Sequence, residues 1–216
     1  MKKNKTEIAI IIILIISLVH TIFMYPTLPN VIPTHWNISG QIDGWGHKSM
    51  LFIFQLISWG IYISMYVVPK IDPKKENYKR FASSYVAIKL FIILLIICIT
   101  EVSMITAVNP ESVNMSKIAS MGISIMFIVM GNYMPKCKQN YTFGVKTPWT
   151  LDNEEVWNDT HRFTGFLWVI SGVIMLITSL LVSEKYAFII VLTITIFSSL
   201  AGIVYSYLSH KKYTNK

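Results

Sequence analysis

The sequence predicts an all-α polytopic membrane protein with six transmembrane helices and both termini in the cytoplasm. Three observations carry this. The chain is 53% hydrophobic but only 14% charged, where a soluble domain has about 25% charged residues. Its apolar residues fall into six runs near the roughly 17–25 residues needed to cross a hydrocarbon core: 8–24, 50–68, 81–100, 118–134, 165–182 and 187–208. Its basic residues alternate between the intervening segments. The amino terminus has three (Lys2, Lys3, Lys5), residues 69–80 have five, residues 135–164 have four and the tail has three, against only Lys48, Lys117 and Lys185 on the other side. Under the positive-inside rule that bias places both termini in the cytoplasm.

The same arithmetic excludes several classes. Disorder needs low hydrophobicity and high charge, and two cysteines cannot build a disulfide scaffold. The net charge of +8 is explained by topology and anionic headgroups. No nucleic-acid reading element accompanies it, so no direct nucleic-acid partner is expected.

The first run follows Lys2, Lys3 and Lys5 like a signal peptide, but it is long and lacks a small-residue cleavage site, so a retained helix is expected. Residues 25–49 form the outer loop. Pro26, Pro29 and Pro33 favour extended chain; Gly40, Gly44 and Gly46 mark turns, with Asp43-Gly44 a specific turn pair. Trp36 and Trp45 suit the headgroup region. His20, His35, Asp43 and His47 offer metal-binding chemistry, but the spacing between His35 and His47 is not a ligand spacing, and no metal is expected.

In the second run Gln55 is the notable polar group. The third holds Lys89 about 12 Å from its inner end; with no acid deep in any span, the side chain is expected to snorkel to the interface. Cys98 and Cys137 fall at opposite membrane faces, beyond disulfide reach, as packing residues.

The inner loop, 135–164, is the longest polar stretch. Asp152 and Glu155 have capping-box spacing, and a helix starting there would align Val156, Trp157, Thr160, Phe163 and Leu167 on one side and bend into the fifth span. Asp159 and Arg162 could pair on another side. Asp159 and His161 point about 200° apart on a helix, no activated Ser or Cys is near, and Gly144, Lys146 and Thr147 lack phosphate-loop spacing. No catalysis and no cofactor are expected. The loop reads either as an anchored connector or as a binding element. The chain divides into 1–68, 69–116 and 117–216.

Two motifs then stand out together. LPNVIPTHWNISGQIDGWGHKS after the first span resembles the amino-terminal module of SdpI-type bacterial membrane proteins, and MPKCKQNYTFGVKTPWTLDNEEVWNDTHRFTG resembles the same family's carboxy-terminal signature. The resemblance implies a multi-pass immunity protein of the bacterial plasma membrane. It would give resistance to a secreted SdpC-like toxin peptide, and would capture a cytoplasmic SdpR-like repressor. The chain departs from the family pattern at Lys146, where arginine is expected, which removes a bidentate fork. On this reading the toxin-facing residues are His35, Trp36, Asp43 and Trp45. The cytoplasmic docking residues are Asn140, Gly144, Lys146, Thr147, Pro148, Trp149, Trp157, His161 and Arg162. Two other readings are a small peptide or lipid transporter, though no repeat relates the two halves, and a metalloenzyme using the outer histidines.

Overall fold

Inside a bilayer every backbone N–H and C=O must be paired within the protein, which leaves helices as the way for these apolar runs to cross. The computed structural model describes residues 5–110 and 112–214; Lys2, Lys3 and Lys216, part of the charge argument, lie outside them. Six helices are long and apolar enough to span a membrane: α1 Lys5–Met24, α2 Met50–Ile71, α3 Ala82–Val108, α4 Met115–Tyr133, α6 Glu154–Leu181 and α7 Glu184–Thr214. A five-residue helix, α5 Pro148–Asp152, precedes α6. The expected spans are all present, and each helix runs at least as far as its apolar run at one or both ends. α3 shows why: its last two turns leave the apolar run to place Met104 and Ala107 against Leu28, Ile32 and Leu51.

Six crossings in alternating directions put the start of α1 and the end of α7 on one face, with the connections 72–81 and 134–153. We call this the terminal face. The opposite face carries residues 25–49, the 109–114 link and the short turn before α7. Here the outer loop differs from expectation. It folds into a two-stranded antiparallel sheet, β1 Val31–Trp36 and β2 Ile42–His47. Asp43, Gly44 and Gly46 are strand residues, and the reversal falls at Asn37–Gln41. The Asn37 side chain makes that turn by accepting the backbone N–H groups of Ser39 (2.9 Å) and Gln41 (3.1 Å), while Gly40 supplies the positive φ of 77°. A side chain that imitates a backbone turn outcompetes the Asp-Gly signal.

Small residues draw the helices together. A Cβ on Gly165 would lie 2.7 Å from the Gly131 carbonyl oxygen, and one on Gly172 would lie 2.8 Å from the Ser124 carbonyl oxygen. Backbones therefore touch along α4 and α6, the close approach that small residues permit where lipid supplies no hydrophobic drive. On the other side of the bundle, polar side chains join α1 to its neighbours. Gln55 Nε2 donates to Ser17 Oγ (2.9 Å) and Thr21 Oγ1 (2.8 Å), beside an apolar contact of Ile10 and Leu14 with Ile93.

Three local expectations are corrected. Lys89 does not snorkel: it is 2% exposed and meets Glu7 Oε1, in the first turn of α1, at 2.5 Å. The α6 cap is Asn153, whose side chain accepts from the N–H groups of Glu155 and Val156; Asp152 ends α5 instead. α6 then runs on without a break, burying Val156, Trp157 and Thr160 as their spacing predicts. Asp159 does not pair with Arg162. It turns to α7, taking Tyr213 Oη at 3.0 Å and Lys212 Nζ at 3.4 Å.

Candidate functional site

On the hairpin face the strand register places His35 opposite Gly44. A Cβ on Gly44 would come within 2.7 Å of the His35 Cβ, so glycine there lets the imidazole lie against β2. His35 Nδ1 sits 2.5 Å from Asp43 Oδ1. Lys48 fixes the hairpin to the bundle: its ammonium donates to the carbonyls of Tyr25 (3.1 Å) and Leu28 (3.0 Å) and rests 4.7 Å from the Tyr25 ring centroid. Below the hairpin lies a cleft of about 630 Å³, bounded by His35, Trp36 and Asp43 on one side and by Phe54, Ser103 and Phe188 from α2, α3 and α7 on the other. Three of the four outer candidates thus converge on one cavity. Trp45 does not line it; it is 56% exposed on the outside of the sheet.

The outer histidines do not converge. His47 stands opposite Val31, at the far end of β1 from His35, about 13 Å along the strand, and bonds instead to Ser49 at 3.0 Å. Among the described residues no group of three His, Cys, Asp or Glu is placed to hold a metal ion.

The terminal face is organised by Asp72, at the end of α2. Its carboxylate accepts the N–H groups of Lys74 (2.7 Å) and Tyr141 (3.0 Å) and the hydroxyls of Tyr78 (2.8 Å) and Thr142 (3.1 Å). Burial pushes this carboxyl up, but the four donors outweigh it and hold its pKa below the ordinary value. Burial likewise raises the Tyr78 hydroxyl, and pushes the Cys137 thiol up to about 12. A nucleophilic thiolate is therefore not on offer at Cys137.

Around this anchor the loop folds on its own side chains. Asn140 Oδ1 accepts from Thr142 N–H (2.8 Å) and Phe143 N–H (2.7 Å), and its amide donates to the carbonyls of Lys138 and Phe143. Gln139 bridges Lys74 to the Thr150 and Leu151 carbonyls of α5. Trp157 Nε1 donates to the Cys137 carbonyl at 2.9 Å, and its ring stacks on His161 at 3.9 Å. Val145 N–H donates to His161 Nε2 at 3.1 Å. That nitrogen therefore carries the lone pair, and Nδ1 carries the hydrogen, which goes to the Trp157 carbonyl at 2.8 Å. Gly144, with φ of 119°, packs against the Nε2 edge of this ring. Thr147 caps α5 in a reciprocal bond with Thr150.

The inner candidates accordingly divide in two. Asn140, Thr147, Trp157 and His161 are buried, and with Gly144 they shape the loop. Lys146, Pro148 and Arg162 are exposed and Trp149 half-buried, Trp149 lying against Tyr207 at 5.0 Å. The sequence reading missed Asp72, Tyr78, Gln139 and Lys48. Asp72 stands before a proline in a loop, and nothing local signals that its partners lie about seventy residues downstream.

Residues 136–206, which hold this loop and most of α6 and α7, match the model of the SdpI/YfhL protein family. Residues 12–58, with the hairpin between parts of α1 and α2, match a domain of unknown function, DUF1648. Across 213 residues the chain is 29% identical to the Immunity protein SdpI of Bacillus subtilis (strain 168), covering 98% of each chain. No solved structure matches. The chain is a multi-pass bacterial membrane protein, and its residues 136–206 resemble the SdpI/YfhL protein family.

Proposed function

We propose that this protein is a membrane immunity protein that protects its cell from a secreted SdpC-like toxin peptide. The observation that carries the reading is the hairpin-face cleft, in which His35, Trp36 and Asp43 stand over an apolar floor. Such a cavity suits a peptide that presents an apolar side chain together with a polar group. The immunity relative named above supports the role. In this proposal the hairpin face is extracellular and the basic terminal face cytoplasmic, as the positive-inside rule requires. Binding in the cleft protects by holding the peptide at the protein; no catalytic step is invoked.

The exposed Lys146, Pro148 and Arg162, with half-buried Trp149, are then the surface for an SdpR-like repressor, while Asn140, Gly144, Thr147, Trp157 and His161 keep it in shape. Two positive charges, Lys146 on the loop and Arg162 on α6, suit an acidic partner surface.

The test is survival of a toxin-sensitive bacterium expressing the chain. The wild type should protect; Trp36→Ala and Asp43→Asn should lose protection at unchanged membrane levels. Full protection by both variants would remove the cleft from the mechanism. Lys146→Glu and Arg162→Glu should abolish co-purification of an SdpR-like repressor while the cells still survive toxin.

A further inference from the structure

A second cleft, of about 480 Å³, opens between α4, α6 and α7 beneath the terminal-face loop. Its walls are Met130 from α4, Met134 from the 3-10 turn that follows it, Trp168 from α6, and Ser199 and Ile203 from α7, and Lys146 stands at its loop end. No carboxylate lines it. Lys146 gives two of its three ammonium hydrogens to the carbonyls of Tyr141 (3.2 Å) and Thr142 (3.0 Å), which leaves one free and the charge unneutralised. None of the ion pairs among the described residues involves it.

We infer that this cleft is a binding site for one anionic phospholipid, with an acyl chain between Met134, Trp168 and Ile203 and the phosphate on Lys146. The charge and the position of the cleft together select this occupant. Trp168, Ser199 and Ile203 belong to spanning helices, so the slot extends into the depth occupied by lipid tails. An empty apolar slot there loses contact energy along all its walls, and Met side chains adapt to a flexible chain. A fixed cation at the headgroup end then discriminates by charge. Terminal-face lysines such as Lys136 and Lys138 add to the positive field that concentrates acidic lipid at this surface. The lipid would wedge the loop against α4 and α7 and engage Lys146, itself one of the proposed docking residues, so membrane composition would bear on that surface. This inference does not depend on the immunity reading, because its readout is lipid retention.

Native mass spectrometry of the full chain in detergent tests it, with phosphatidylglycerol, phosphatidylcholine and sn-glycerol 3-phosphate each added separately. The wild type should retain phosphatidylglycerol at least fivefold more than phosphatidylcholine. Lys146→Gln should erase the preference, and Lys146→Arg should keep it. Ser199→Phe, which fills the slot far from the loop, should reduce retention of both lipids several-fold. Equal retention of the two lipids by the wild type would overturn the proposal. So would unchanged retention in Ser199→Phe, or competition by glycerol phosphate as effective as by whole lipid. Should Lys146→Gln melt early, the wild-type ratio and Ser199→Phe still decide.

Discussion

Lys89 of α3 and Glu7 of α1 form an ion pair at 2.5 Å inside the helix bundle, with the ammonium also 5.3 Å from the Tyr62 ring centroid on α2. Three helices therefore meet at one buried charge. Among the described residues the Glu7 Oε2 atom has no hydrogen-bond partner. Taking two ions out of water is expensive, and breaking such a pair by removing one partner costs about 3–5 kcal/mol because the other charge is stranded. Glu7→Gln should lower the thermal midpoint in detergent by more than the double variant Glu7→Gln/Lys89→Met does. A double variant less stable than Glu7→Gln would show that the pair itself adds net stability.

Gly144 offers a sharper case, since two independent obstacles bar any other residue. Its φ of 119° is a region that L side chains rarely adopt, and an added Cβ would clash with His161 Nε2. The backbone strain alone is of order 1–3 kcal/mol, and the clash would displace the imidazole from Val145 N–H. Gly144→Ala should destabilise by about 3 kcal/mol or more and open residues 137–147 to limited proteolysis. Combining it with His161→Ala relieves the clash only, so the double variant should remain less stable than wild type.

Asp72 sets the pH dependence of the same loop. Its folded pKa lies below its ordinary value of 3.8, so the unfolded chain binds a proton more readily than the folded one. The stability it contributes is fully present above about pH 4 and is lost as pH falls through the folded pKa. Acid below pH 4 should therefore loosen the loop, read as faster cleavage near Tyr141. Asp72→Asn should loosen it at neutral pH and flatten that acid response. The charge-assisted bonds at stake are worth roughly 1.5–3 kcal/mol each where they are buried.

These cases show what could be read in advance and what could not. The six spans follow from composition because a bilayer admits so few backbone solutions, and the buried stripe of α6 follows from a 3.6-residue period. The hairpin was hidden because Pro33 and Gly44 are poor strand residues; it exists because Ile32 packs on Met104 and Ala107 of α3. Likewise Asp159 has Arg162 within helical reach but faces α7, so tertiary packing overrides a weak local pair. At the inner loop the motif covers the segment that folds around Asp72, yet Asp72 itself lies outside it, and Gln139 within it carries as much of the architecture as the named candidates. Their partners are set by helix docking, which no spacing encodes.

That docking rests on Gly131 and Gly165. Each glycine's missing Cβ would lie 2.7 Å from the other's carbonyl oxygen, and a Cβ on Gly165 would also strike Pro135 at 2.7 Å. Pro135 belongs to the short 3-10 turn that leads from α4 into the loop, so this contact fixes where the loop starts as well as how close the helices stand. A side chain must push backbone from backbone, which cannot be relieved by a rotamer change. Gly165→Val should separate α4 from α6 and displace Met134 and Cys137, with destabilisation of several kcal/mol of the kind overpacking produces. Gly165→Ala should cost less but in the same direction. Cross-linking of cysteines that replace Phe127 and Trp168, whose rings lie 4.6 Å apart across α4 and α6, would read the separation directly. Efficient cross-linking in wild type that persists in Gly165→Val would mean that α4 and α6 do not depend on this glycine pair.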